Sequence, residues 1–261
     1  MERIKVYISD PQVLFREGIH FTLSGEEEFE VIGESTSNEE ACSFIESNPP
    51  NSAILNIHGS NMSGLEATRR IKHALSSVAI ILVTDKKDEE DYFEAIRCGA
   101  SACIDKDTGP DLLLDTMHVI VQGAQPLLDK IFEPSIASKI LAQFERTNLL
   151  SEQTGDLLVR LSQKEVEVLE QIAVGSSTEQ IITRLNTSDE DIRSRVRLIV
   201  GKLVANDQAN ILIEAFQRVL PSVIYGKRLG QSMDDYVTRE EFNKFKDGLI
   251  QKLKAFMGEF T

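Results

Sequence analysis

Residues 54–71 read ILNIHGSNMSGLEATRRI, and the way this stretch divides decides the fold. Its front half closes an apolar run, Ser52–Ile57, while Leu65, Ala67, Ile71 and Ala74 recur behind it at helical spacing. A short strand followed by an amphipathic helix is one unit of an alternating α/β pattern. The alternation repeats on both sides: β-branched runs at Ile4–Ser9, Phe29–Gly33, Ala79–Thr84 and Ala102–Asp105 are separated by helix-period segments such as Asp91–Cys98. Five strands of this kind imply a doubly wound, parallel, five-stranded sheet. Such sheets carry their chemistry where strands end, near the point at which strand order reverses. The residues leaving the strands are Asp10, Asn56, Thr84 and Lys106.

Beyond Gly123 the strand pattern stops. Ile136, Ile140, Leu141 and Phe144 recur at helical spacing, so 125–154 reads as a helical linker. Four helical segments follow: Ser162–Val174, Thr178–Leu185, a third opening at Ser188, and a fourth from about Asp207 to Leu220, stopped by Pro221. Ser188 and Asp191 have capping-box form, and Ile192, Val196, Ile199 and Leu203 continue that helix. Two helices joined by about three residues inside an all-α unit have the form of a helix-turn-helix. A last amphipathic helix opens at Thr238, with Glu241 as its capping partner and Val237 and Phe242 as a hydrophobic staple. Phe242, Phe245, Leu249, Leu253 and Phe256 fall on one face of it. Two readings of that face stay open: it dimerises or grips a partner, or it folds back onto its own chain.

The chain has 261 residues and a formal net charge of −14, which at first argues against a nucleic-acid partner. The acid is unevenly placed, with 22 acidic against 10 basic residues in 1–125 but 11 against 8 in 151–219. No apolar run is long enough for a membrane span, and the charged start lacks the core of a secretory signal, so a cytoplasmic location is expected. Cys42, Cys98 and Cys103 are too few and scattered for a disulfide framework, and the four histidines show no metal-ligand spacing. With no nucleophile–base set, phosphate loop or zinc motif, neither an enzyme nor a cofactor nor a metal site is expected.

Four collinear stretches carry a family resemblance: VYISDPQVLFREGI (6–19), the opening stretch, DEEDYFEAIRCGASACIDKDT (88–108) and LSQKEVEVLEQIAVGSSTEQIITRLNTSDEDIRSRVRLIVGKL (161–203). In order and spacing the chain resembles the LuxR-type (NarL-like) two-component response regulators over about residues 4–215. The resemblance implies a receiver over 1–124, a linker over 125–154 and a LuxR-type DNA-binding domain over 155–220, with 221–261 as an extension outside the pattern. It implies a transcription regulator whose partner is double-stranded DNA, acting as a homodimer, with a further protein partner possible at the receiver or the last helix. Receivers of this family carry two adjacent acids after the first strand, a phosphate-accepting aspartate after the third, Ser or Thr after the fourth and Lys after the fifth. Here these positions hold Asp10 and Pro11, Asn56, Thr84 and Lys106, and Cys103 stands where an aromatic is common.

These departures have chemical consequences. A carboxylate can attack a phosphoryl group, whereas the neutral amide of Asn56 forms no comparable acyl phosphate. Magnesium wants oxygen ligands, mostly carboxylates, and Pro11 and Asn56 leave only Asp10. The expectation is a pseudo-receiver that acts without phosphotransfer, with Lys106 paired to Asp10. In the output domain the resemblance makes the third segment the recognition helix, with Arg193, Ser194, Arg195, Arg197 and Lys202 toward DNA; the plainer alternative is a solvated basic face. Asp189, Glu190 and Asp191 in its first turn suit the helix dipole but oppose phosphate, as does Glu179. The leading reading is therefore a DNA-binding regulator independent of phosphorylation. The alternatives are an adaptor that docks proteins on an acidic pseudo-receiver, and a regulator phosphorylated at another acceptor.

Overall fold

The computed structural model describes residues 3–86, 88–154 and 158–225. Strands β1 (Ile4–Ser9), β2 (Phe29–Ser35), β3 (Ser52–Asn56), β4 (Ala79–Thr84) and β5 (Ala102–Asp105) form one sheet in the order β2-β1-β3-β4-β5. Every neighbouring pair is parallel, so each crossover needs a helix. Those helices are α1 (Val13–Ser24), α2 (Asn38–Ser47), α3 (Gly64–Ala74), α4 (Glu89–Cys98) and α5 (Pro110–Val121).

Alternation along the strands sorts the core into two layers. Val6, Ile8, Ile54, Ile81 and Val83 face α1 and α5, packing with Ile19, Leu23, Leu113, Met117 and Ile120. Tyr7, Ala53, Leu55, Ile80 and Leu82 face α2, α3 and α4 on the other side. Both faces are covered, which is why the strands read as unbroken apolar runs. Crossovers from β1 and β3 leave in opposite directions, so the switch point lies between the carboxyl ends of these two strands.

A 3-10 segment (Pro126–Phe132) and α6 (Pro134–Thr154) follow, then α7 (Gln163–Ala173), α8 (Thr178–Leu185) and α9 (Asp189–Tyr225). Capping boxes start α7 at Ser162 with Glu165 and α8 at Ser177 with Gln180. Asn186, left-handed at φ 48°, turns the chain from α8 into α9. The third and fourth helical segments expected from the sequence are one continuous helix, and its span includes Pro221. No glycine or proline interrupts Leu203–Asp207, and the polar residues there are engaged elsewhere: Asn206 bonds both backbone groups of Val159, and Asp207 is ion-paired. A polar cluster that looked like a helix start instead makes tertiary contacts.

The α4 side of the sheet, the linker and the output helices share one buried cluster, running from Tyr92 and Ile96 through Ile131 and Ile140 to Val196 and Leu203. Gly99, left-handed at φ 85°, ends α4 directly under Val204 of α9. The helix expected from Thr238 lies outside the described residues. No helix among the described residues is long and apolar enough to cross a membrane.

Candidate functional site

Asp10, Asn56 and Lys106 meet at the switch point. Asp10 is buried, with 1% exposure; its Oδ1 accepts the Gln12 backbone N–H at 2.7 Å and its Oδ2 accepts the Asn56 Nδ2–H at 2.7 Å. Asn56 Oδ1 in turn accepts the His58 backbone N–H at 2.7 Å. A backbone N–H only donates and a carboxylate only accepts, so a single orientation of the amide satisfies both neighbours. Lys106 Nζ lies 3.1 Å from Asp10 Oδ2 and 3.0 Å from Asp85 Oδ1, tying β5 to the ends of β1 and β4. A buried charge pair of this kind is held by its geometry and extra hydrogen bonds, and losing one partner strands the other.

The local chain makes this convergence possible. A Cβ on Gly64 would stand 2.4 Å from the Asn56 carbonyl oxygen, so only glycine lets the start of α3 close against the end of β3. Ser63 and Glu66 form the capping box that begins α3 there. Asn38 at the start of α2 donates to the Asn56 carbonyl at 2.9 Å and accepts the Ser9 hydroxyl at 3.1 Å.

Thr84 does not join this group. Its hydroxyl lies 2.5 Å from Asp91 Oδ2 on α4 and 2.9 Å from the Lys86 carbonyl, and its one proton serves these two acceptors. Pro11 is exposed and has neither a side-chain ligand nor a backbone donor. Sequence reasoning missed Arg16, whose guanidinium donates to the Asp10 carbonyl at 2.7 Å and to Glu34 at 3.0 Å, and it missed Asp85 and Asn38. Arg16 sits inside the stretch that carried the family resemblance, and Asp85 directly follows Thr84, so position alone marked both.

A cavity of about 340 Å³ opens beside Asn56, bounded by Pro11, Ser37, Asn38, His58 and Gly59, with no acidic side chain in its wall. Magnesium does not fit these residues. Asp10 is, among the described residues, the one carboxylate bonded to Asn56, its oxygens already hold an amide, an ammonium and a backbone N–H, the nearby Asp85 is held by Lys106, and Asn56 turns its nitrogen inward. Among the described residues no three of His, Cys, Asp and Glu form a metal-ligand group.

The cations assigned to DNA are all paired. Arg193 donates to Asp189 at 2.9 Å and to Asp129 of the 3-10 segment at 3.3 Å, and its guanidinium lies 5.7 Å over the Phe132 ring. Asp189 holds the Arg193 guanidinium above its ordinary pKa. Arg195 bonds Asp191 at 2.9 Å, Arg197 bonds Glu190 at 3.3 Å, and Lys202 bonds Glu165 at 2.7 Å, while Ser194 is exposed. Bonds from Thr187 and Arg195 hold the Asp191 carboxyl below its usual range. Arg193 and Arg197 do share a face, and both, though exposed, line a groove of about 750 Å³ between α9 on one side and Lys72, Gly99 and the linker residue Leu128 on the other.

A second cluster, without signal in the sequence, holds α9 in this place. Asp207 accepts Arg69 Nε of α3 at 2.5 Å, and its other oxygen stands 2.9 Å from Arg97 Nε of α4. Glu94 completes the set, 3.4 Å from Arg69 and 2.8 Å from Arg97. The Arg97 Nε–H is buried and off line from every acceptor, so its contact with Asp207 is electrostatic rather than a formed hydrogen bond. Burial pushes the Glu94 carboxyl up despite both arginines. Burial also presses the Arg69 guanidinium down, but the bond to Asp207 outweighs it and leaves Arg69 above its ordinary value.

Comparison with known proteins adds the family. Residues 6–118 match the response regulator receiver domain, and residues 159–215 match the bacterial regulatory proteins of the luxR family. The transcriptional regulatory protein YdfI of Bacillus subtilis is 30% identical over 215 residues, 82% of this chain and 96% of its own length. YxjL of the same organism, an uncharacterized transcriptional regulatory protein, is 28% identical over 216 residues, 83% of this chain and 96% of its own. The response regulator protein VraR of Staphylococcus epidermidis is 27% identical over 217 residues, 83% of this chain and 98% of its own.

Proposed function

The chain belongs to the LuxR family of response regulators, two-domain regulators of transcription, and from that premise we propose that this member works without aspartyl phosphorylation. Its receiver is a fixed scaffold, and its output helix reaches double-stranded DNA when α9 leaves the receiver. One observation carries the reading: the Asn56 amide fills the acceptor position and spends its donor on Asp10, the carboxylate a metal would need. Lys106, the cation that would meet a phosphate, is engaged by Asp10 and Asp85. The pocket thus has neither a nucleophile nor a free counter-charge.

On DNA, Arg193, Arg195 and Arg197 reach base edges or phosphates, with Ser194 and Lys202 beside them. Each must first leave a carboxylate, so binding is modest and falls steeply with salt. Two experiments test the proposal. Incubation with acetyl phosphate leaves the intact mass unchanged; a gain of one phosphoryl group that Asn56→Ala abolishes overturns it. In a shift assay at low salt on DNA from upstream of the gene, Arg193→Ala with Arg197→Ala removes the wild-type shift.

The pairing of every recognition-helix arginine with an acid favours a second reading, a protein-docking adaptor. No shift at low salt, even from a chain whose α9 has been freed by Asp207→Ala, decides for the adaptor.

A further inference from the structure

The side of the sheet facing away from α9 carries large apolar side chains with no cover. On α1, Leu14 is 88% exposed and Phe21 83% exposed. They stand with Gly18 at i, i+4 and i+7, one stripe along the helix, and nothing lies within 4 Å of where a Gly18 side chain would project. On α5, Leu112 and Val119 are exposed at i and i+7, with Asp115 between them. The rim is acidic: segments 12–30 and 107–122 hold eight carboxylates against Arg16, already bonded to Glu34, and two histidines, of which His118 meets Glu28 and His20 meets Glu34. A bare apolar stripe with one sign of charge around it has the form of a docking surface.

The chain supplies a matching segment. After Tyr225, residues 226–261 lie outside the described structure, and 242–256 read FNKFKDGLIQKLKAF, with four lysines against one aspartate. At 100° per residue, Phe242, Phe245, Leu249, Leu253 and Phe256 fall within about 80° of one another, with Lys246 beside them and Lys252 bordering the other side. That is an apolar stripe edged by ammonium groups, the counterpart of the α1 face, and lysine stems lie along apolar surface while their heads reach outward to acids. As a helix it is about 22 Å long, against about 18 Å for α1. The 13 residues from Tyr225 to Thr238 span at most about 45 Å, more than the roughly 35 Å diameter of a domain the size of the receiver. The tether is thus comparable in length to the domain it must border, and tethering raises the local concentration to about the millimolar range.

We propose that the C-terminal segment 238–257 folds as a helix and docks in cis on α1, laying its phenylalanine and leucine face over Leu14, Gly18 and Phe21 with its lysines on the acidic rim. The segment that leaves the output domain thus returns to the receiver on the side opposite α9 and straps the two together.

The chain has no tryptophan, which gives a clean test in the full-length protein. Phe21→Trp adds a single indole to the face. Docking predicts blue-shifted emission and weak acrylamide quenching that do not change on dilution. Ending the chain after Tyr225, or adding Leu249→Glu, shifts the emission to the red and raises quenching, while the circular dichroism of the rest is retained; Lys246→Glu with Lys252→Glu moves it in the same direction. An indole equally exposed with and without the segment overturns the proposal. So does an indole still covered after truncation, or one uncovered on dilution as the solution mass halves, since then a second copy of the chain occupies the face.

Discussion

The Asn56 amide nitrogen and the Asp10 carboxylate are joined by a 2.7 Å hydrogen bond at the point where the strand order reverses. Replacing that donor by an acceptor, Asn56→Asp, sets two carboxylates against each other, and like charges at this range push one pKa up. A raised carboxyl loses its stabilisation as pH rises through the folded-state value. Urea unfolding is therefore expected to show a loss of about 1–3 kcal/mol at pH 7 and a smaller loss at pH 5. The variant still takes up no phosphate from acetyl phosphate, because Pro11 offers no second acid for a metal.

Asp207 faces both Arg69 and Arg97 across the receiver–output boundary. Asp207→Ala leaves two partly buried guanidiniums together with only Glu94 between them, at a cost of about 1–3 kcal/mol. Hydrogen exchange is expected to quicken along α4 and the part of α9 that packs on it, with β1 and β3 unchanged, and affinity for low-salt DNA to rise. Uniform quickening across the sheet would instead mark Asp207 as part of the global fold.

Glu165 starts α7 and also receives Lys202 of α9. Burial pushes its carboxyl up, but the Lys202 ammonium and the Ser162 bonds prevail and hold it below the usual range. A depressed carboxyl stabilises above its unfolded value, near 4.5, and that contribution disappears as pH falls through the lower folded value. Thermal unfolding of wild type and Glu165→Gln is expected to differ at pH 7 by about 1–2 kcal/mol, the worth of the charge-assisted bond from Lys202, since glutamine still completes the capping box. The two curves converge as the pH drops below 4.

Burial pushes the Cys42 thiol up to about 11 and the Cys98 and Cys103 thiols up to about 12. Only thiolate reacts, so a disulfide reagent at pH 8 should label none of the three in the native protein and all three in denaturant. Rapid labelling of native Cys103 would show that β5 opens.

The sheet, its helices and the meeting of Asp10, Asn56 and Lys106 could be read from the residues themselves. Short β-branched runs between amphipathic stretches have few ways to bury both faces, and residues at the ends of parallel strands must converge wherever the strand order reverses. Asp10, Asn56 and Lys106 followed from that rule. Thr84 obeyed it in position only, because its hydroxyl found a nearer carboxylate on α4. Periodicity marks which face of α9 is apolar but not whether a polar cluster such as Asn206 and Asp207 starts a helix or makes a contact. Arg69 and Asp207 are 138 residues apart, and no local pattern links them. Sequence by itself determined the fold class and that an amide, Asn56, closes β3, because both depend on residue type and spacing along the chain. Only the tertiary structure decided that α9 is one helix turned inward on the receiver, because the charge pairing and burial that hold it arise between segments far apart in the chain.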